Sequence, residues 1–421
     1  MTYLVKRASL VNIFIGFAVA MFILSPYFAI KGGVLHGGLI GLFALFLSAP
    51  GATIRSLRNE KLYIIGLLGV GIGFYAILMG LLNGAPDFDH LKIGLQIPIY
   101  ITFGHIIGRI WWREGCTNDQ AHIRLAKFVL ATAVINSILI ILSHYNSELK
   151  AFLEGMLAET GNIKHAEHPF RHRGLASAGG ANLSLLNALM VWIALVLSAR
   201  GELKPITSIL LCTILLFATL YIGRTGLLLG IGFISIFLLL LFCMLKRRRQ
   251  ILSWVLVFTI GGIALFPLLE QFVSNTVMKY SLFFLEDGLS SFREEGTTEI
   301  LKKMLFLPES LCHLITGVGG VHNDPANRHS DIGYVKTIFA VGIPLAFFIY
   351  IAIAIAFSRL VLSKNLVFYF LPIVGALFIA ELKEPFLYHG YSSRFIWSLF
   401  GLRLFYLGTR VGVEPRERSI V

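Results

Sequence analysis

The sequence predicts an all-α protein, a polytopic membrane helix bundle with about twelve transmembrane helices. Hydrophobic residues fill 56% of the 421 positions and charged residues only 14%. A fold in water with this balance would expose far more apolar surface than its charges could cover. The mean hydropathy of +0.78 also indicates that a bilayer is the solvent of this chain.

Apolar runs of spanning length recur along the chain, and each predicts one transmembrane helix. The first run is too long for a signal-peptide core, so we expect it to remain as a helix. The runs cover approximately 8–29, 33–50, 62–83, 91–110, 125–144, 176–199, 205–222, 225–245, 251–268, 333–356, 366–382 and 393–409.

Basic residues concentrate in alternate loops, which predicts the orientation of the helices. With the amino terminus in the cytoplasm, the basic loops fall on the cytoplasmic side, from Lys6 and Arg7 to the run Lys246–Arg249, as the positive-inside rule requires. Both termini are then cytoplasmic. Orientation and anionic headgroups explain the net charge of +13, so no nucleic-acid partner is predicted. We expect one integral membrane domain, residues 1–421.

Two loops on the opposite side are long, 145–175 and 269–332, and they hold most of the unusual polar residues. Functional chemistry is therefore expected on that face. Apolar patterns around Phe283 and Met304 predict short amphipathic helices on the bilayer surface in the longer loop. These helices would either cover a lateral opening for a lipid-linked substrate or shield the outer end of the bundle.

Arg224 lies in a tight turn between two strongly apolar segments, with Gly223 and Thr225 beside it. Burying a guanidinium there is costly unless the group is paired. Its planar, permanently charged fork matches phosphate oxygens, so Arg224 is predicted to bind a phosphate or diphosphate. The alternative is an ordinary arginine that snorkels to the interface.

The segment Pro169-Phe-Arg-His-Arg-Gly-Leu175 brings Arg171, His172 and Arg173 to the entrance of the sixth run. This density of cations predicts a diphosphate site with His172 as a possible substrate contact, whereas a basic rim that anchors headgroups is the alternative. Four residues have a spacing compatible with a metal site, namely His165, Glu167, His168 and His172. No cysteine or carboxylate pattern supports that spacing, so neither a metal nor another cofactor is predicted.

The densest group of proton-transfer side chains follows Gly317-Val-Gly-Gly320. His329 is the candidate catalytic base because imidazole accepts a proton near neutral pH, and Asp331 would orient or assist it. Asp331 as a plain helix N-cap is the alternative. The neighbouring candidates are Arg328 for a diphosphate, and Tyr334 and Lys336 for other parts of the substrate.

The turn between the last two apolar runs is also polar. Glu381 and Lys383 lie at a helix end, and Arg394 follows the turn. These three residues would either pair with neighbouring groups or contact the substrate.

These motifs together resemble the O-antigen polymerase and ligase superfamily of bacterial surface polysaccharide assembly. The likeness is carried by Arg224 in a Gly-Arg-Thr-Gly turn, by Arg171 to Leu175 before a small-residue helix, and by Gly317-Val-Gly-Gly followed by Arg-His-Ser-Asp-Ile-Gly-Tyr. It covers about residues 165–395, and the first five runs match only as hydrophobic spans.

The resemblance implies a GT-C-like glycosyltransferase of the bacterial inner membrane whose active site faces the periplasm. Its partners would be undecaprenyl-diphosphate-linked oligosaccharide, membrane lipid and a chain-length regulator protein. Arg224 with Arg171 or Arg173 would hold the diphosphate, and His329 would be the base. Guanidinium groups that stabilise the departing diphosphate would make a metal unnecessary.

The resemblance leaves polymerase and ligase as alternatives. A polymerase joins lipid-linked repeat units and releases undecaprenyl diphosphate, whereas a ligase transfers the glycan to lipid A core. We prefer polymerase because the Arg-His-Ser-Asp-Ile-Gly-Tyr run and the Lys-Glu-Pro turn look closer to O-antigen and capsule polymerases. A flippase or secondary transporter would also have about twelve helices and basic inner loops, but the unusual charges here collect at helix ends.

Overall fold

The computed structural model describes residues 2–31, 33–159, 172–243, 302–361 and 366–412. Most of these residues are helical, and six helices among them are long and apolar enough to cross a membrane. A bent pair of helices, Gly37–Ser48 and Pro50–Leu57, raises that number to seven if it forms one span. The prediction of a helical membrane protein is therefore confirmed by helix length and composition. The prediction of twelve spans is not confirmed. The predicted span 251–268 lies outside the described residues.

The described elements are α-helices, one β-hairpin and one 3₁₀ turn. In chain order they are α1 Thr2–Leu24, β1 Tyr27–Ile30, β2 Gly33–His36, α2 Gly37–Ser48, α3 Pro50–Leu57, α4 Glu60–Asn83, α5 Asp89–Arg113, α6 Asn118–Tyr145, α7 Ser147–Met156, α8 Ala181–Ala199, α9 Pro205–Ile222, α10 Arg224–Cys243, α11 Leu311–Thr316, a 3₁₀ turn Val321–Asn323, α12 Gly333–Val361, α13 Val367–Ala380 and α14 Gly390–Gly412.

The chain divides into two compact units, each made from separate stretches of sequence. Unit 1 comprises Met1–Ile23, Leu39–Phe128 and Leu301–Val421. Unit 2 comprises Leu24–Gly38 and Val129–Ile300. The candidate site residues are divided between these two units.

A β-hairpin lies where the sequence predicted the end of one span and the start of the next. The first helix ends at Leu24, because Pro26 has no backbone N–H to donate and disfavours helical geometry at Ser25. Strands β1 and β2 then pair antiparallel, with Tyr27 opposite His36. The predicted spans 8–29 and 33–50 were therefore wrong at their facing ends, residues 25–29 and 33–36.

Helix α5 packs against α4 and α14 in unit 1, and small residues permit both close approaches. A Cβ atom built on Gly94 of α5 would lie 2.2 Å from the carbonyl oxygen of Gly69 in α4. One built on Gly401 of α14 would lie 1.9 Å from the carbonyl oxygen of Ile101. Close backbone packing through glycine is typical of helix pairs in membranes.

Helix α12 is kinked at Gly342, which has a φ of 77°. The kink removes the helical partner of the Phe339 carbonyl, which instead accepts a hydrogen bond from the Val318 N–H at 2.7 Å. Gly317, with a φ of 77°, lies against the same kink. The Gly317-Val-Gly-Gly320 motif is thus a packing turn on α12.

The two long loops contain more structure than the sequence predicted. The first, 145–175, begins with helix α7, Ser147–Met156. In the second, residues 269–301 lie outside the described part, and Met304 and Phe306 pack against a buried apolar cluster of unit 1 that includes Val318 and Phe339. Met304 is therefore half-buried against unit 1.

Candidate functional site

Arg224 is the first residue of α10, directly after the Gly223 turn that ends α9. It is half-buried, and the N-terminus of α8 lies beside it. The Gly226 N–H donates to Ser184 Oγ at 3.2 Å, and a Cβ atom on Gly223 would lie 3.3 Å from the Gly180 carbonyl carbon. The N-termini of α8 and α10 therefore lie together at Arg224, and both carry the positive end of a helix dipole.

This arrangement in unit 2 suits an anion. First-turn N–H groups lack acceptors within their own helix, and helix N-termini with a nearby arginine are established phosphate-binding geometry. Glycine allows the approach, since a Cβ atom on Gly226 would lie 2.0 Å from the Ser184 carbonyl oxygen. The sequence identified Arg224 but could not show that α8 would present a second N-terminus beside it.

Arg173 has a structural environment. Its side chain is fully buried and forms an ion pair with Glu154 of α7, to which its Nε donates at 2.8 Å. The remaining donors bond the backbone carbonyls of Ala158, Ser177 and Leu157. The five N–H donors of a guanidinium are thus all used, so Arg173 offers no hydrogen bond to a diphosphate.

His172 belongs to an aromatic cluster. The side chain is buried, and its Nε2 lies 3.4 Å from Nδ1 of His144. The backbone N–H of His172 donates to the Tyr221 carbonyl at 3.0 Å. Tyr221 in turn shares a 2.9 Å hydrogen bond with Tyr145. His144 and Tyr221 could not be singled out from the sequence because they lie within apolar runs. Arg171, His165, Glu167 and His168 lie outside the described residues.

His329, Asp331 and Lys336 form the candidate catalytic cluster of unit 1. The His329 Nε2 lies 3.3 Å from Asp331 Oδ1, and the imidazole side chain is 76% exposed. Lys336, one turn inside α12, places its Nζ 3.4 Å from the same carboxylate oxygen. The three side chains that the sequence groups together therefore lie close together, with Asp331 in contact with both His329 and Lys336.

Arg328 is held by acidic residues. Its Nε and Nη2 donate to the two carboxylate oxygens of Asp324 at 2.8 and 3.0 Å, and Nη1 lies 3.3 Å from Glu309. The guanidinium also lies over the Phe306 ring, 4.4 Å from its centroid. These hydrogen bonds lower the pKa of the Asp324 carboxyl group. The compensated charge favours a structural role for Arg328 over diphosphate binding.

Glu381 is fully buried at the end of α13. Its Oε1 accepts a hydrogen bond from the Tyr350 hydroxyl at 3.0 Å and its Oε2 accepts the Leu387 N–H at 2.9 Å. Gly333 is required beside it, because a Cβ atom there would lie 2.2 Å from Glu381 Oε1. Tyr334 donates to the Phe378 carbonyl at 2.8 Å. Both Glu381 and Tyr334 thus tie helix ends together.

The last two candidates also lie in unit 1. Arg394 donates from Nη1 to the Ile23 carbonyl at 3.0 Å and its guanidinium lies 5.4 Å from the centroid of the Tyr391 ring. Lys383 is half-buried just after α13. Arg394 therefore links α14 to the end of α1.

The predicted site residues fall into two groups, Arg224 in unit 2 and the His329 cluster in unit 1. Comparison of the chain with protein-family models, with curated proteins and with solved structures gave no match.

Proposed function

We propose that this protein is a membrane glycosyltransferase that polymerises lipid-linked repeat units of an O-antigen or capsular polysaccharide. The observation that carries the proposal is the exposed His329 imidazole with Asp331 3.3 Å from its Nε2. A carboxylate on one ring nitrogen fixes the tautomer and leaves the other nitrogen to accept a proton. The proton would come from the hydroxyl group of an acceptor sugar.

In the proposed reaction, the acceptor oxygen forms a bond to the anomeric carbon of the donor glycan as the bond from that carbon to the diphosphate oxygen breaks. His329 takes the hydroxyl proton, and undecaprenyl diphosphate leaves with the bonding electrons. In unit 2, Arg224 and the N-termini of α8 and α10 are proposed to bind a lipid diphosphate. Arg171 is proposed as a second residue that binds the diphosphate. The proposed site faces the periplasm at the bacterial inner membrane.

The proposal is tested in cells by replacing His329 and Arg224 separately with alanine and resolving the surface glycans by size. We expect long chains to disappear from both variants, while single repeat units still reach lipid A core. Arg224→Lys is the matched variant, because it keeps the charge and removes the bidentate fork; we expect partial loss. Absence of all capped lipid A core would identify a ligase instead. Accumulation of substrate on the cytoplasmic leaflet would identify a flippase.

A further inference from the structure

Unit 1 contains an apolar cavity that the proposed reaction does not use. The cavity has a volume of about 360 Å³, and its walls come from α4, α5, α12 and α14. Most of the lining is aliphatic, with isoleucines such as Ile97 and Ile349. Two lining residues, Leu68 of α4 and Phe348 of α12, are 64% and 66% exposed. Within the described residues, the cavity therefore opens sideways between these two helices, where a bilayer would meet the protein.

The imidazole of His90 lines this cavity from the first turn of α5. Its side chain is only 10% exposed, and neither ring nitrogen has a hydrogen-bond partner among the residues that the structure describes. Nδ1 lies 4.0 Å from Asp87 Oδ2, which is beyond hydrogen-bond range. A neutral imidazole carries one N–H donor and one acceptor, and burying such a group without a partner is costly. An occupant with a hydrogen-bond acceptor at this end would satisfy the N–H donor.

The other polar side chains of the lining already have partners. The hydroxyl groups of Thr337 and Tyr388 are hydrogen-bonded to each other, and the Thr337 hydroxyl also donates to the Gly333 carbonyl at 3.0 Å. Trp397 donates from Nε1 to the Leu387 carbonyl at 2.8 Å. In the described lining, His90 is therefore the side chain left to bind a polar group of a ligand.

The shape of the cavity suits a chain. From His90 to Ile101 its wall follows α5 for about 16 Å at the rise of an α-helix. Because His90 lies in the first turn of α5, the polar end of the cavity is at the boundary of a membrane-spanning helix. A lipid in the bilayer has the same arrangement, since its polar group lies at the boundary and its chain lies inside.

The charges around the polar end are mainly acidic. Asp87 and Asp89 interact electrostatically with His90, and both do so more strongly than Lys336. The Lys336 Nζ is itself paired with Asp331, 3.4 Å from its Oδ1. Two carboxylates repel an anionic group and attract a cationic one. The head group of an occupant is therefore expected to carry no net negative charge.

We propose that the cavity binds one acyl chain of an aminophospholipid, whose ester carbonyl accepts a hydrogen bond from His90 and whose ammonium group lies on the side of Asp87 and Asp89. The aliphatic lining removes the chain from water. The ester carbonyl stands where chain and head group join, which is the depth at which His90 lies. This lipid site does not rest on the proposed function.

The test is photolabelling of the full-length protein in nanodiscs with a small fraction of phosphatidylethanolamine that carries a diazirine in one acyl chain. In the wild type, we expect label on the lining residues Ile97 or Ile349. Leu95 and Phe347 lie on the same helices and are exposed without lining the cavity, so they report lipid contact at the outer surface. Label confined to Leu95 and Phe347 would overturn the proposal.

A matched pair of variants tests whether the chain occupies the cavity. Ala352 lines it and Ala354 does not, although both lie on α12 and both are exposed. We expect Ala352→Phe to reduce labelling of the lining residues about tenfold, because the ring would fill part of the cavity, and Ala354→Phe to label like the wild type. Equal labelling of the two variants would overturn the proposal.

The hydrogen bond to His90 is tested by changing the probe and the protein together. The ether-linked analogue of the probe lacks the ester carbonyl, so we expect it to label the wild type about tenfold less. His90→Leu should label equally with both probes. Equal labelling of the wild type by the two probes, or a preference for the ester that persists in His90→Leu, would overturn the assignment to His90.

Competition in the wild type tests the head group. Unlabelled phosphatidylethanolamine should displace the probe, and about tenfold more phosphatidylglycerol with the same chains should be needed for the same effect. Equal competition by the two lipids would overturn the role of the ammonium group. Stronger competition by a polyprenyl phosphate than by phosphatidylethanolamine would overturn the proposal and identify a site for a carrier lipid.

Discussion

Arg173 and Arg224 differ at the residue scale in how their charge is used. The Arg173 side chain is fully buried against Glu154, while Arg224 is half-buried at the meeting point of two helix N-termini. The sequence gives both arginines membrane-boundary positions beside glycine. Only the three-dimensional partners separate a structural ion pair from a candidate ligand.

Arg173→Ala should destabilise the protein strongly. The substitution leaves the Glu154 carboxylate without its charge partner in a buried position, which costs about 3–5 kcal/mol. Thermal unfolding of the purified protein in detergent measures the effect, and Arg55→Ala is the control, because Arg55 is exposed and bonds a carbonyl of its own helix. An Arg173→Ala variant as stable as the control would contradict a structural role.

Arg328→Ala should destabilise the protein in a pH-dependent manner. Its hydrogen bonds lower the pKa of Asp324, so the stabilisation is fully present above the unfolded-state pKa of about 3.9 and is lost as pH falls through the lower folded-state pKa. We expect a reduced unfolding temperature at neutral pH and a smaller difference from wild type in acid. Arg55→Ala serves as the control, since Arg55 bonds only a carbonyl of its own helix among the contacts described. A difference that grows toward acidic pH would count against this assignment.

At the scale of secondary-structure elements, the helix crossings in unit 1 depend on glycine. Replacing such a glycine with alanine adds one methyl group at the crossing and tests its geometry. Gly94→Ala should lower the unfolding free energy by about 1–3 kcal/mol, because the new Cβ would overlap the Gly69 carbonyl. Gly71→Ala on α4 is the matched control, since its Cβ would meet nothing within 4 Å. There the higher helix propensity of alanine should stabilise by up to about 1 kcal/mol. Equal effects of the two substitutions on thermal unfolding would refute the crossing geometry.

Helices and their order could be predicted largely from apolar run lengths, because a bilayer-spanning segment must be long, apolar and internally hydrogen-bonded. The prediction failed at residues 25–29 and 33–36, where a short apolar stretch after Pro26 forms a hairpin and run length does not separate strand from helix. The kink at Gly342 also could not be predicted, because glycine and proline are common in membrane helices.

For the candidate site, the sequence grouped His329, Asp331 and Lys336 correctly because they are near neighbours at a helix start. It could not identify partners that are distant in sequence, such as Glu154 for Arg173. It also could not locate the apolar cavity, whose walls come from four helices. Local spacing predicts local clusters, and long-range packing decides which charges remain available for a ligand.

The whole molecule is proposed to join lipid-linked repeat units, and the direct measurement is the size distribution of products from purified protein and such units in the absence of other enzymes. We expect the wild-type protein to produce a ladder of glycans on the lipid carrier. His329→Ala should slow its formation by on the order of 10²–10⁴-fold, the usual contribution of a general base. Unextended substrate from the wild type, or a ladder of unchanged rate from His329→Ala, would contradict the account.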